Sequence, residues 1–368
     1  MKIKKLAITI IVIALVIFYF TGIESATSVE EYDIISGFGG DVKIDKTGTV
    51  EYSVPYGTYV FPEENVGSTL IRTGRGTTLA ETRESRQLYS SRVFLVGDQK
   101  MELMNQEYAE KSLAPVVSIL FSNPRMNDRS YICVTKDNTG DVLRYKVEGY
   151  ESSAEFLQDM MINARDYNFF SKEYTILNMY VRLDTEGRNL VLPYIEITDK
   201  GLELTGMAMF KGDRMVNKLN MEEARVMNML RENKVKGILT IEKDSKRYIN
   251  YYAKTKKKII CNKKDNRLEF IIKLKLSGDI VTNTLYDKLD MNFKKDFEEK
   301  IGRAVEQDCN KFIDKMKNEY KVDFLELGVY GITKYGRDTA VDWNEVISNS
   351  DIKVVVEAKV DKIGRGEY

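Results

Sequence analysis

The amino-acid sequence predicts an α+β protein: an N-terminal membrane anchor, then mixed sheet-and-helix domains, ending in an antiparallel sheet covered by a long helix. Three observations carry this. Short runs in which Val, Ile, Tyr and Thr alternate with polar residues are interspersed with segments whose apolar residues recur every three or four positions, so strands and helices mix along the chain. A single apolar run, Leu6 to Phe20, stands behind the basic start Met-Lys-Ile-Lys-Lys. Near the C-terminus Phe293, Phe297, Ile301, Val305, Cys309, Phe312 and Met316 form one stripe at helical spacing.

The apolar run, counted on through Ile23, is about 18 residues and spans roughly 27 Å as a helix, close to the hydrocarbon thickness of a bilayer. Lys2, Lys4 and Lys5 hold its start at the cytoplasmic leaflet, which puts the remaining chain outside. The exit Thr21-Gly22-Ile23-Glu24-Ser25-Ala26 is a poor cleavage site. Cutting after Ala26 or after Gly22 places Glu24 or Phe20 where a small residue is wanted, so an uncleaved anchor over residues 1–25 is the reading.

Beyond the anchor, strands are expected at Tyr32 to Ile44, Val50 to Val60 and Arg92 to Val96. Thr78-Leu79-Ala80-Glu81 has the form of a capping box and opens a helix through about Tyr89. A second helix from about Gln99 is interrupted at Pro115, which lacks the N–H an interior turn needs. Strands at Arg129 to Thr135 and Val142 to Gly149 lead to a second capping box, Ser152-Ser153-Ala154-Glu155. The helix it opens runs to about Phe170 with Phe156, Met160, Asn163 and Tyr167 in line. Leu177 to Leu183 and Leu190 to Ile197 read as paired strands about Thr185-Glu186-Gly187-Arg188. Asp199-Lys200-Gly201 reads as a module boundary, separating an N-terminal region, 26–198, from a C-terminal domain, 199–368; a further division near 150 stays open.

The second half opens on a hairpin, Leu202 to Phe210 and Arg214 to Leu219, and Asn220-Met221-Glu222-Glu223 caps a helix to about Arg231. Strands at Gly237 to Ile241, Arg247 to Ala253, Lys257 to Asn262 and Leu268 to Ser277 make an antiparallel sheet. The helix from about Asp290 to Tyr320 is expected to cover one face of it. Burying its seven-residue stripe contributes on the order of 10 to 20 kcal/mol gross.

Composition limits the chemistry. The chain of 368 residues has equal numbers of basic and acidic residues, so no global field draws it to nucleic acid, and its exported topology excludes that partner. Histidine is absent, which excludes Ser-His, Cys-His and His-metal chemistry. Cys133, Cys261 and Cys309 are odd in number and widely separated, with no Cys-x-x-Cys pair, so no disulfide framework is expected, and Cys133 and Cys309 read as small buried hydrophobes and not as redox groups. Gly37-Phe38-Gly39-Gly40 lacks phosphate-loop spacing and reads as turn glycines. Arg72 to Thr77 reads as a flexible lead-in to a capped helix, with an anion held by the helix N-terminal amides and the two arginines, Arg72 and Arg75, as the other reading. The basic cluster Lys254, Lys256, Lys257, Lys258, Lys263, Lys264 and Arg267 is expected to guard a sheet edge, with a membrane or partner patch as the other reading. No pair of carboxylates has a setting that splits acid from base, so no catalytic, cofactor or metal residue is nominated.

Three stretches resemble the Ger(x)C family, the C subunit of spore germinant receptors: Leu204 to Val216, Asp323-Phe324-Leu325-Glu326-Leu327-Gly328, and Val354 to Val360 before Gly364. Gly74 to Glu81 and Arg92 to Gly97 are similar to that family's lead into its first helix and following strand. The resemblance implies a three-domain, non-catalytic α+β subunit, without cofactor, on the outer surface of the spore inner membrane. It would sit beside A-type and B-type membrane subunits as a scaffold or coupling component in nutrient-triggered germination. Family members are usually lipoproteins acylated on a lipobox cysteine. Here Ile23 takes that position, so thioether lipidation there is chemically impossible, and the apolar helix is expected to replace the lipid. The alternative reading is an anchored extracytoplasmic binding protein that itself captures a small nutrient such as an amino acid or sugar.

Overall fold

A computed structural model describes residues 2–21, 31–60, 68–264, 267–285, 291–337 and 341–363. Helix α1 (Lys2–Thr21) comes first. Of its residues with described side chains, Ile10, Leu15 and Phe18 are 58%, 62% and 75% exposed. Among the described residues no helix is long and apolar enough to cross a membrane. Ile23, the lipobox position, lies outside the described residues.

The first sheet is assembled from β1 (Tyr32–Ile44), β2 (Val50–Val60), β3 (Ser68–Gly76), β4 (Val93–Leu95), β5 (Met101–Asn105), β6 (Tyr131–Thr135), β7 (Val191–Thr198), β8 (Gly201–Lys211) and β9 (Arg214–Asn220). Its order is β3-β2-β1-β5-β6-β7-β8-β9, with β4 beside the start of β1. β1, β5, β6 and β7 run parallel, whereas β3-β2-β1 and β7-β8-β9 are antiparallel wings. The hairpin expected to open the second half therefore completes this sheet instead.

Helices α2 (Leu79–Gln87), α3 (Gln106–Lys111), α4 (Ala114–Phe121), α5 (Thr139–Arg144), α6 (Ser153–Tyr167) and α7 (Ile176–Asp184) connect the strands. Strand alternation sorts the side chains between two faces. Leu103, Cys133 and Met207 meet α6 on one face, while Met104, Val134 and Ala208 meet α3, α4 and α7 on the other.

Several elements differ from the sequence reading, each for a physical reason. Met101–Asn105 is a strand buried on both faces, so its Met-Glu-Leu-Met shows no clean alternation of apolar and polar residues and reads as part of a helix. Pro115 opens α4 instead of interrupting a helix, because a first-turn residue needs no N–H partner. Of the strand expected from Val142 to Gly149, the first residues end α5, which is capped by the Asn138 side chain, and those after Arg144 form no strand. Leu177 to Leu183 belongs to α7, whose buried Ile176 and Met179 lie three apart, not two. In α6 the buried line is Ala154, Leu157, Met161 and Ala164; Phe156 and Met160 pack only at its margin, since alanines count as apolar on a helix face. β3 is polar and was legible only as a lead-in loop.

The second half continues with α8 (Met221–Arg231), whose Asn220–Glu223 capping box is formed on both sides. Then follow β10 (Lys236–Asp244), β11 (Arg247–Lys264), β12 (Arg267–Asn283), α9 (Met291–Lys315), α10 (Leu327–Tyr335), α11 (Trp343–Ser348) and β13 (Asp351–Ile363). The second sheet has the order β10-β11-β12-β13: the strands expected between Gly237 and Ser277 pair antiparallel, and β13, not expected in that sheet, joins β12 in parallel. The two strands expected over Arg247 to Asn262 are one, β11.

Helix α9 passes into a π turn at Met316–Tyr320, and every residue of its expected stripe is buried. The helix also does something the stripe does not announce. Glu298 Oε1 accepts the Val360 N–H at 2.7 Å and Glu306 Oε2 the Val356 N–H at 3.1 Å. Eight helical residues rise about 12 Å and four strand residues about 13 Å, so the two carboxylates match two outward amides of the terminal strand. An exposed sheet edge is thereby closed by side chains. The apolar core runs unbroken from Leu103 and Cys133 through α6 and α8 to Phe270, Ile301 and Val354.

Candidate functional site

Gly37-Phe38-Gly39-Gly40 lies inside β1 and not in a turn. A Cβ on Gly39 would stand 2.2 Å from Thr139 Oγ1, so the bare strand is what lets α5 pack on it. Arg72 to Gly76 belongs to β3, and Arg72 Nη1 lies 3.5 Å from Asp33 Oδ2. The N–H and hydroxyl of Thr77 both donate to Glu81 Oε2, at 2.6 and 2.8 Å, so the donors that would meet an anion there are already used. All three cysteines are free and buried, and burial pushes the thiols of Cys133, Cys261 and Cys309 up, away from reactivity.

The basic cluster divides. Lys254, Lys256 and Lys258 are exposed on the outer face of the second sheet, beside the exposed Lys273 and Lys275 of β12 and Lys353 and Lys359 of β13. β10 pairs with β11 only as far as Lys254, so edge guarding applies only beyond that point. Lys257 turns inward instead. Its Nζ donates to the carbonyls of Leu230, at 2.9 Å, and Arg231 at the end of α8, and burial pushes it down to about 8.

Two constellations were not nominated from sequence. The first is a cavity of about 260 Å³ between α2, α4 and the face made by β1 and β5. Phe38, Val54, Phe94, Met104, Leu120 and Met126 give it an apolar wall, into which Glu102 and Arg86 bring opposite charges. Glu102 is 4% exposed; its Oε2 accepts from Gln99 Nε2 at 2.6 Å. Burial pushes its carboxyl up to about 7, against the opposing pull of the Gln99 hydrogen bond and Arg86. The signal in the sequence was a lone acid within Met-Glu-Leu-Met. Read as helix, it fell on a solvent face.

A carboxyl whose folded pKa is raised contributes stability that is fully present below its unfolded value, 4.5, and lost as pH rises through about 7. Arg86, lowered to about 10 by burial, stays charged throughout that window. Glu102→Gln is therefore expected to gain on the parent by about 2–3 kcal/mol between about pH 5 and about pH 8. Urea unfolding of both proteins at the two pH values checks this; an unchanged difference would contradict it.

The second constellation joins the two halves of the chain. Asp323 accepts the N–H groups of Leu325 and Gly328, at 3.1 and 2.7 Å, folding Asp323 to Gly328 into a tight turn. The turn holds Glu326 at a left-handed φ of 56°, an unfavoured conformation for a residue with a side chain. Gly187, at φ 75°, lies against this turn, where a Cβ would come within 2.8 Å of the Gly328 carbonyl carbon. Glu326 Oε1 is 3.0 Å from Arg182 Nε and 2.5 Å from Arg231 Nη2, and its Oε2 is 3.7 Å from Arg188. Arg231 also donates to the carbonyls of Phe324, at 2.7 Å, and Asn189, at 2.9 Å. Arg182 reaches Glu173 at 3.2 Å and Glu232 at 3.5 Å. Burial alone would push Glu326 up, but Arg231, Arg182 and Arg188 outweigh it and hold the carboxyl below its ordinary range. Burial raises Asp323 to about 6 against its backbone donors.

With this geometry in view, two family matches divide the chain between them. Residues 25–197 match the spore germination protein N-terminal domain, and residues 205–364 match the spore germination B3/GerAC-like C-terminal domain. Spore germination protein GerQC of Bacillus cereus is 24% identical over 81% of this chain and 84% of its own length. The putative spore germination protein YfkR of Bacillus subtilis (strain 168) is 19% identical over 80% of this chain and 79% of its own. The crystal structure of the GerBC protein shares the fold, with a TM-score of 0.51 at 15% identity, covering 88% of this chain and 97% of that one. Fold and matches together define a spore germination protein. The chain belongs to the Ger(x)C family, the C subunits of germinant receptors.

Proposed function

We propose that this chain is a non-catalytic coupling subunit, held by its N-terminal helix on the outer surface of the spore inner membrane beside A-type and B-type subunits. The observation that carries the coupling role is the continuous core and the buried Arg182–Glu326–Arg231 cluster, which tie both sheets together so that a force on one half reaches the other. The anchor rests on the exposed apolar residues of α1, on Lys2, Lys4 and Lys5 in its first turn and on the absence of a thiol at Ile23. The lysine-coated outer face of the second sheet suits an anionic leaflet.

The test is affinity purification of the tagged full chain from spore membranes. A-type and B-type subunits are expected to come down with it, and the mature protein is expected to begin at its own N-terminal methionine or lysine. Recovery without either subunit would overturn the coupling role. A mature start near Ser25 would overturn the anchor.

A further inference from the structure

We propose that the cavity between α2, α4 and the β1–β5 face binds a small zwitterion with an apolar body, an aliphatic α-amino acid, its ammonium facing Glu102 and its carboxylate facing Arg86. The inference goes beyond the coupling role and fails separately from it, since it concerns what the purified chain binds and not which subunits accompany it.

The argument begins with what the two charges lack. The guanidinium of Arg86 lies 5.4 Å from the ring centre of Phe38 and 5.7 Å from that of Tyr56, which orients it without using any of its N–H donors. Among the described residues the guanidinium of Arg86 makes no hydrogen bond and no ion pair, whereas its backbone carbonyl accepts the Tyr89 N–H. Among the described residues the Glu102 carboxylate has one donor, Gln99, although a carboxylate offers about four acceptor sites. The two side chains line the same cavity yet do not come within ion-pair distance of each other. A charge withdrawn from water and left unpaired is expensive. One ligand carrying both countercharges relieves both groups, whereas a simple cation or anion relieves only one.

The remaining wall selects the body of the ligand. Phe38, Met104, Leu120 and Met126 form an apolar stretch of that wall with no polar side-chain partner apart from weak thioethers, so the side chain carried beside the two charges is hydrocarbon, while Thr82, Gln87 and Asn123 add polar groups elsewhere on the lining. A volume of about 260 Å³ corresponds to about nine water-sized groups, the size of a branched aliphatic amino acid. Arg83 and Arg125, both exposed, line the cavity too and add positive charge on its solvent side. They favour entry of the carboxylate-bearing end.

The experiment is calorimetric titration of the full chain, in detergent micelles, with L-leucine as the probe. Saturable binding to a single site is expected. Glu102→Gln and Arg86→Met are each expected to weaken it roughly ten- to hundredfold, the worth of a charge-assisted contact. Leu79→Trp, which enlarges a half-buried wall residue, should abolish it. 4-Methylpentanoate, without the ammonium, and isoamylamine, without the carboxylate, should bind at least roughly tenfold more weakly than leucine. Thermal melting of each variant separates lost binding from lost folding, and Glu102→Gln in particular is expected to melt no lower than the parent near pH 8. No leucine binding at millimolar concentration, undiminished binding in both charge variants that still fold, or equal binding of 4-methylpentanoate would each overturn the proposal.

Discussion

Replacing Arg231 with methionine is expected to destabilise the folded chain by about 3–5 kcal/mol, the cost of removing one partner from a buried ion cluster. The side chain of Arg231 is fully buried, and its guanidinium serves Glu326, Glu232 and the carbonyls of Phe324 and Asn189. Methionine fills similar space and donates nothing. Glu326 would keep Arg182 but lose its shortest contact, and two buried carbonyls would lose a donor. The surface pair Arg303–Glu299, with side chains 79% and 56% exposed, is the control: Arg303→Ala should change stability by less than about 0.5 kcal/mol. Urea unfolding measures both. Equal, small effects would mean that the cluster contributes nothing to joining the halves.

The same cluster shows what the sequence could and could not disclose. Asp323 to Gly328 was visible as a motif, but its partners stand far away in the chain: Arg182 is 144 residues from Glu326 and Arg231 is 95. Nothing local in either arginine marks it as buried, since each sits on an otherwise ordinary amphipathic helix. Caps, by contrast, are local chemistry. Thr78, Ser152 and Asn220 each accept the N–H three residues on, as their sequence contexts implied.

Strand and helix were confused where burial erased the period. Met101–Asn105, covered on both faces, shows no alternation, and the α7 segment is too short for its helical period to outweigh its content of Val, Tyr and Leu. The cavity was missed for the same reason, because Glu102 gains its meaning only once its strand is known to be central. Lys257 was hidden differently. Its neighbours Lys256 and Lys258 face water, and only the alternation of β11 turns the middle lysine toward α8.

Truncating Phe297 to alanine is expected to cost about 3–5 kcal/mol, comparable to loss of Arg231 but by cavity formation. Phe297 is 1% exposed and sits where three elements of the second half meet. Its ring stands edge-on to Tyr251 of β11, with centroids 5.7 Å apart, and stacks with Phe293 one turn earlier in α9 at 6.0 Å. The Tyr251 hydroxyl in turn donates to the Lys359 carbonyl of β13 at 2.7 Å. Loss of the ring therefore loosens the helix on the sheet at the place where Glu298, the next residue, closes the edge of β13 at Val360. A pure packing loss would change stability alone. Because edge closure depends on the same turn of helix, Phe297→Ala is also expected to raise hydrogen exchange at the Val360 amide more than at Val356, which Glu306 holds from two turns away. Equal exchange at both amides would show that helix and edge come apart as one unit.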